Sequence, residues 1–260
     1  MRKGILLLCV MCALALTSNA QIGNLKLDKG KVKEAAGNAV VAVTLSDADI
    51  NALCVEYITW MDAHNPVCKL NSSDPGMKKY AKRLDDLVKK HINEDGLKLD
   101  IKVYYVVEQN AFACANGSIR VFAGLMDIMT DEQILGVIGH EIGHIKSGDT
   151  KAAIKAAYLT MAGKGLIAST GSTAAKLTDS QLGELGSALI GAQFSQKQEY
   201  AADMYGYNFL KRNGYNQKAM ASALRIIEGL QGASPGKMSA LFSTHPDSGK
   251  RAKKLEALDK

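Results

Sequence analysis

The chain is predicted to fold as an α+β protein, mainly helical, with a small β-sheet beside one central helix. Three features carry that expectation. Leu99, Ile101, Val103, Tyr105 and Val107 alternate with their neighbours in a β-branched, aromatic run, the pattern of a strand. Asn110–Ala113 and Ser118–Ala123 repeat the signal as a second strand or strand pair. From Asp131 onward the apolar residues recur at helical spacing almost to the end of the chain.

The elements follow in order. Leu45-Ser46-Asp47 opens a helix that runs towards His64, Asn65 to Gly76 reads as a loop, and Met77 to His91 is an amphipathic helix. After the strands, a helix begins near Asp131, and further helices are expected over 150–170, 179–212, 216–231 and 248–259. Thr170-Gly171 and the Gly229–Gly236 stretch interrupt them. No internal repeat or low-complexity tract is visible. The domain plan is an N-terminal signal over 1–20, a flexible segment over 21–44 and one domain over 45–260.

The helix from Asp131 is the most informative. Thr130 with Gln133 makes a capping box, and Asp131 and Glu132 place acids where the helix dipole favours them. Ile134, Leu135, Ile138, Ile142 and Ile145 form a buried stripe, and Ser147-Gly148-Asp149 reads as the stop. Gly136, Gly139 and Gly143 fall on one strip of the same helix. Each costs about 1 kcal/mol relative to alanine in a helix interior, so another backbone is expected to pack closely there.

Within this helix stands His140-Glu141-Ile142-Gly143-His144. Residues four apart project from one helix face, so His140 and His144 can reach one metal ion. Glu141 lies roughly 100° around the helix from His140, beside the metal rather than on it. A general base that takes a proton from a metal-activated water stands in that position. A catalytic zinc usually has three protein ligands and one open position, so a third is needed. Ser147 and Thr150 stand where another class of zinc site would continue with a glycine and a histidine. Gln198-Glu199-Tyr200-Ala201-Ala202-Asp203 offers an alternative, with Glu199 and Asp203 one turn apart on one helix face. Glu199 could bind the metal and Asp203 could orient a ligand histidine through its other ring nitrogen. Ala201 and Ala202 would keep that helix slim enough to approach the glycine strip.

Taken together, His140–His144, the Glu199 and Asp203 pair and the late Ser243-Thr244-His245-Pro246…Arg251 segment resemble the HtpX/BepA-type zinc metallopeptidases. Asn110–Asp127 and Gln193–Glu199 are especially similar to their soluble periplasmic, LoiP-like branch. The resemblance runs from about Ser46 to about Leu255. It implies a gluzincin fold, one zinc held by His140, His144 and Glu199, and Glu141 as base. It also implies that His245 sits over the site, either stabilising the oxyanion or plugging the zinc, and that Arg251 is a structural ion-pair partner. Where many members have a proline-glycine pair, this chain has Ala115-Asn116-Gly117. Asn110, Ala111, Phe112 and Ala113 would offer a strand edge on which an extended peptide could add.

The implied activity is an endopeptidase acting on unfolded or misassembled polypeptide, with outer-membrane assembly factors as possible partners. A non-catalytic envelope chaperone that keeps the zinc fold is the alternative; intact Glu141 argues against it, because a pure binder has no need of a base. A non-peptidase zinc hydrolase is a third reading, for which no substrate signature is present.

Compartment is read from the N-terminus. Arg2 and Lys3 precede an apolar run from Ile5 to Leu16, and Ser18-Asn19-Ala20 supplies small residues before Gln21, the form of a secretory signal cut after Ala20. The expected location is the periplasm, soluble or peripherally attached to the envelope. Cys9 and Cys12 lie inside the apolar run, without a convincing lipobox. Cys54, Cys68 and Cys114 remain, allowing at most one internal disulfide whose pair the sequence does not choose. The formal net charge of +6 loses Arg2 and Lys3 with the signal. The excess left is mild and spread over lysine-rich helices, and no nucleic-acid motif accompanies it.

Overall fold

The computed structural model describes residues 45–164, 166–167, 176–191, 193–233 and 245–259. The signal and flexible segment expected over 1–44 lie outside these residues. Helix α1 (Asp47–His64) starts on a capping box in which Ser46 accepts from the Asp49 N–H and the Asp49 carboxylate accepts from the Ser46 N–H. Helix α2 (Pro75–Val88) begins two residues before the expected start at Met77 and ends before His91. Asp74 accounts for the early start, because its Oδ1 accepts from the N–H groups of Gly76 and Met77 and Pro75 fits a first helical turn.

The sheet has three strands: β1 (Asp100–Tyr104), β2 (Ala111–Ala113) and β3 (Ser118–Phe122), in the order β1-β3-β2. β1 runs parallel to β3, with Tyr104 opposite Phe122, and β2 runs antiparallel to it, with Ala111 opposite Val121. The expected strand to Val107 stops at Tyr104, because its partner β3 ends at Phe122 and turns into a short helix, α3 (Ala123–Ile128). Past that point the Tyr105 N–H turns to the Pro66 carbonyl and Val107 is exposed. The sequence alone predicts no helix between the sheet and the helix from Asp131; α3 fills that stretch. Asn110 lies just outside β2, although its carbonyl still accepts from the Phe122 N–H.

Helix α4 (Asp131–Lys146) carries the histidine pair, and its Thr130–Gln133 capping box is present. Helices α5 (Asp149–Gly163) and α6 (Asp179–Gly191) pack on one another and on α1. The single helix expected over 179–212 is broken: Ser195 caps a separate helix, α7 (Gln196–Arg212), through a capping box with Gln198. That Ser-x-x-Gln signal is in the sequence, and an N-cap with extended backbone cannot be a helix interior. Among the described residues, helices α8 (Lys218–Ala233) and α9 (Ser248–Glu256) follow, and a short 3₁₀ turn comes directly after α9.

Two apolar clusters adjoin. The larger gathers Val103, Ile119, Ile134, Ile138, Ile142 and Phe209 from the sheet, α4 and α7. The second joins α1, α5 and α6 through residues such as Leu53, Ile154 and Leu185. The glycine strip of α4 does what its cost requires. A Cβ on Gly143 would stand 2.9 Å from the Ala202 Cα, and one on Gly139 would stand 3.0 Å from the Gly206 Cα. The close partner is therefore α7. Ala202 is buried at this contact, whereas Ala201 faces solvent; Gly206 plays the part expected of Ala201.

Candidate metal centre

The crossing of α4 and α7 brings the site together. His140, Glu141 and His144 from α4, Glu199 and Asp203 from α7, and His245 and Arg251 around the start of α9 are all buried. One ligand atom from each of His140, His144, Glu199 and His245 lies within 4.8 Å of every other.

Each α4 histidine has its Nδ1 fixed by a carboxylate. His140 Nδ1 is 2.9 Å from Asp203 Oδ1, and His144 Nδ1 is 2.9 Å from Asp149 Oδ2. A carboxylate can only accept, so each Nδ1 carries a proton, and in the neutral ring each Nε2 is left with a lone pair free for a metal. Those two Nε2 atoms face each other at 3.0 Å. Two lone pairs at that distance repel unless a cation lies between or beside them. His144 Nε2 is 3.4 Å from Glu199 Oε1, which is 2.9 Å from His245 Nδ1. Converging imidazole nitrogens and a carboxylate oxygen, with both imidazoles oriented from behind, fit zinc.

Burial disfavours a His144 cation, but the hydrogen bonds to Asp149 and Glu199 push its pKa up to about 9, so a metal would displace a proton there. Burial works against the Glu199 carboxylate, but the His245 charge and the His144 hydrogen bond hold its pKa well below the usual carboxylate range. Asp203 is likewise held low against burial, chiefly by Arg251 and His140. Burial depresses the His140 pKa, with the neighbouring His144 acting in the same direction, which keeps His140 a neutral donor.

The aromatic ring of Phe194 stacks on His144 at 4.1 Å between centroids. On the other side, Val137, Met220, Leu224 and Ile227 wall a small pocket that reaches His140 and Glu141. Glu141 Oε1 lies 3.8 Å from His245 Nε2.

Every metal-site residue singled out from the sequence is thus in the cluster, and Asp203 and Arg251 stand directly behind it. β2 packs against α4 and has β3 on one side only among the described strands, so Ala111, Phe112 and Ala113 form a sheet edge beside the site. Asp149 was missed: it had been read only as part of a helix stop. Its Oδ1 also accepts from Gln198 Nε2 at 2.7 Å, so one carboxylate links the ends of α4 and α7. Its position five residues after His144, past the tight Gly148 turn, was the signal available.

A mainly helical fold with a small sheet beside a helix bearing two histidines, and a buried glutamate from a later helix, defines a zinc metallopeptidase of gluzincin type. Comparison with known proteins is specific. Residues 78–259 match the model of peptidase family M48. The chain is 34% identical over 256 residues to Metalloprotease YcaL of Escherichia coli, covering 98% of this chain and 97% of that protein. It is 36% identical over 230 residues to Metalloprotease LoiP of the same organism, covering 88% of each. A Protease HtpX homolog of Salinibacter ruber is 30% identical over 183 residues, 58% of this chain and 64% of that protein. The chain belongs to peptidase family M48.

Proposed function

We propose that this zinc metallopeptidase is an endopeptidase of the cell envelope that hydrolyses unfolded or misassembled polypeptide, with Glu141 as general base. The observation that carries the reading is the placement of Glu141, one residue from a ligand histidine, buried, and not among the four converging metal donors. When bound, zinc polarises the scissile carbonyl and lowers the pKa of a coordinated water to about 7. Glu141 takes the water's proton and delivers it to the leaving amine. His140, His144 and Glu199 hold the ion; Asp203, Asp149 and Arg251 hold those side chains. His245 would supply a further donor to the resting cluster, and its Nε2 lies 3.8 Å from Glu141 Oε1, so that if released it could donate to the developing oxyanion.

The β2 edge, Ala111–Ala113 with Asn110 at its end, would take an extended client as an added strand. Such pairing reads backbone more than side chains and suits broad specificity. Export to the periplasm rests on the N-terminal run of residues 1–20. Among the described residues no helix is long and apolar enough to cross a membrane. Outer-membrane assembly factors are the partners this location suggests.

Glu141→Gln tests the reading against a non-catalytic, client-binding protein. The variant should retain one zinc per chain and the wild-type fold while losing cleavage of an unfolded substrate such as casein. Cleavage at the wild-type rate would exclude Glu141 as the base.

A further inference from the structure

The three cysteines outside the N-terminal apolar run are separated by the fold. Cys68 belongs to the larger core, whereas Cys54 and Cys114 share the cluster that joins α1 to α5 and α6. Cys54 lies on the buried face of α1, and Cys114 directly follows the edge strand β2; both are buried. All three are free thiols in this structure, and the Cys114 thiol and the backbone N–H groups of Asn116 and Ala115 lie near enough to Cys54 to lower its pKa. One turn further along α1, Tyr57 packs against Phe112 of β2, with ring centroids 6.4 Å apart. Helix α1 therefore meets the edge strand at two neighbouring points, Tyr57 on Phe112 and Cys54 beside Cys114.

We propose that Cys54 and Cys114 are joined by a disulfide in the mature protein, tying α1 to the end of the edge strand, and that Cys68 stays a free thiol. The proposal rests on the reading of export, since disulfides persist in oxidising compartments. The oxidant is the disulfide of a thiol–disulfide oxidoreductase or of oxidised glutathione. One of the two thiolates attacks one sulfur of that disulfide, forming a mixed disulfide and expelling the other sulfur as a thiolate. The other cysteine's thiolate then attacks the protein sulfur of the mixed disulfide, closing the intramolecular bond and releasing the second oxidant sulfur. Two S–H bonds are lost and one S–S bond is gained. Two protons leave, and two electrons reduce the oxidant to its thiols.

In the docked fold the contact shifts the two thiols in opposite directions. The Cys114 thiol, outweighing burial, together with the two backbone N–H groups holds Cys54 below the ordinary thiol range. The same contact, with burial, pushes Cys114 well above it. Because both sulfurs are enclosed in the folded protein, exchange takes place before α1 has fully docked. Once formed, the bond holds the hairpin end at Cys114–Gly117 against α1 while a client pairs with β2.

The test is a cysteine map of the full-length gene product expressed in a bacterium with a periplasm. Envelope protein would be quenched with N-ethylmaleimide, digested without reduction and analysed by mass spectrometry. The expected result is a Cys54–Cys114 cross-linked peptide with Cys68 alkylated. The N-terminal peptide of the same sample reports export separately. Three alkylated cysteines in a chain cut after Ala20 overturn the disulfide and leave the export reading intact. If the chain keeps residues 1–20 and remains in the cytosol, the export reading fails instead. The pair is then decided by refolding the chain in a glutathione redox buffer: formation of Cys54–Cys114 supports it, and pairing through Cys68 or no pairing overturns it. In the oxidised protein, Cys54→Ala and Cys114→Ala should each lower the thermal midpoint by roughly 5–15 °C with zinc content unchanged. Reductant should erase that difference, and a midpoint that reductant does not move would overturn the structural tie.

Discussion

Arg251 grips Asp203 with two nitrogens, Nε to Oδ2 at 2.7 Å and Nη2 to Oδ1 at 2.6 Å, and Asp203 in turn holds His140. The guanidinium also pairs with Glu199 through Nη1. One cation from α9 therefore secures both acids of α7, one a candidate ligand and the other its orienter. All of these groups are buried, so the acids are kept ionised by partners rather than by water.

Removing Arg251 leaves two buried carboxylates without their main cation. Arg251→Met should cost about 3–5 kcal/mol of stability in the zinc-free protein and weaken zinc binding. Arg251→Lys should recover part of both, because lysine keeps the charge and loses the fork. Asp149→Ala should spare the fold more and lower zinc affinity by about 10–100-fold through loss of the His144 orienter. Chelator competition and thermal melts would check all three, and unchanged zinc affinity in Asp149→Ala would remove Asp149 from the site.

The contact between α4 and α7 sets where Glu199 stands. Gly143→Ala would put a methyl 2.9 Å from the Ala202 Cα and 3.0 Å from the Tyr205 Cβ. Alanine adds about 1 kcal/mol of helix propensity, but backbone on the other side cannot step aside. The net effect should be a loss of about 1–2 kcal/mol and weaker zinc binding as α7 is pushed outward. A more stable variant with wild-type zinc affinity would show that the close approach is not needed.

The parts of the fold legible in the sequence were those with local causes. The capping box at Thr130, the apolar stripe of α4 and the cost of its glycines all act within a few residues, and each is present as expected. The pairing of Glu199 with the histidines was legible because chemistry demanded a third ligand and few acids stood at the right spacing. What was not legible depended on contacts between distant segments. Arg120, on the middle strand, reads as an outward-facing strand residue, yet it is fully buried between Asp62 of α1 and Asp100. Asp149 reads as a helix stop until His144 is seen beside it. The break before Ser195 was readable and was passed over, because the helical periodicity on either side is strong.

Asp62 predicts an acid limb of stability. Burial alone would raise its pKa, but hydrogen bonds from Arg120 and Tyr104 and the positive charges of Arg120 and Lys102 lower it. A carboxyl whose folded pKa is below its unfolded value, about 3.9, contributes fully above that value. The contribution is lost as pH falls through the folded pKa. Asp62→Asn should therefore destabilise the protein by about 1–3 kcal/mol near neutrality, with the difference from wild type shrinking below about pH 4. Denaturant melts at pH 7 and pH 3 would check this. A difference independent of pH would assign the loss to packing rather than to the ion pair.

In the proposed mechanism, His245 would separate a resting from a working state of the site. Its Nδ1 lies 2.9 Å from Glu199 Oε1 and 3.3 Å from His140 Nε2, inside the donor cluster, while its Nε2 faces Glu141. As a fourth donor it would fill the position that a water needs; swung out, its ring could stabilise the oxyanion. Asp247, two residues on, has a left-handed backbone with φ of 62° at the start of α9. In cobalt-substituted protein, His245→Ala should change the visible spectrum of the resting site as one nitrogen donor is replaced by water. Turnover of saturating casein should fall by about 10²–10³, and the lag before cleavage begins should shorten. An unchanged spectrum together with unchanged turnover would leave His245 as no more than a residue that starts a helix before Pro246.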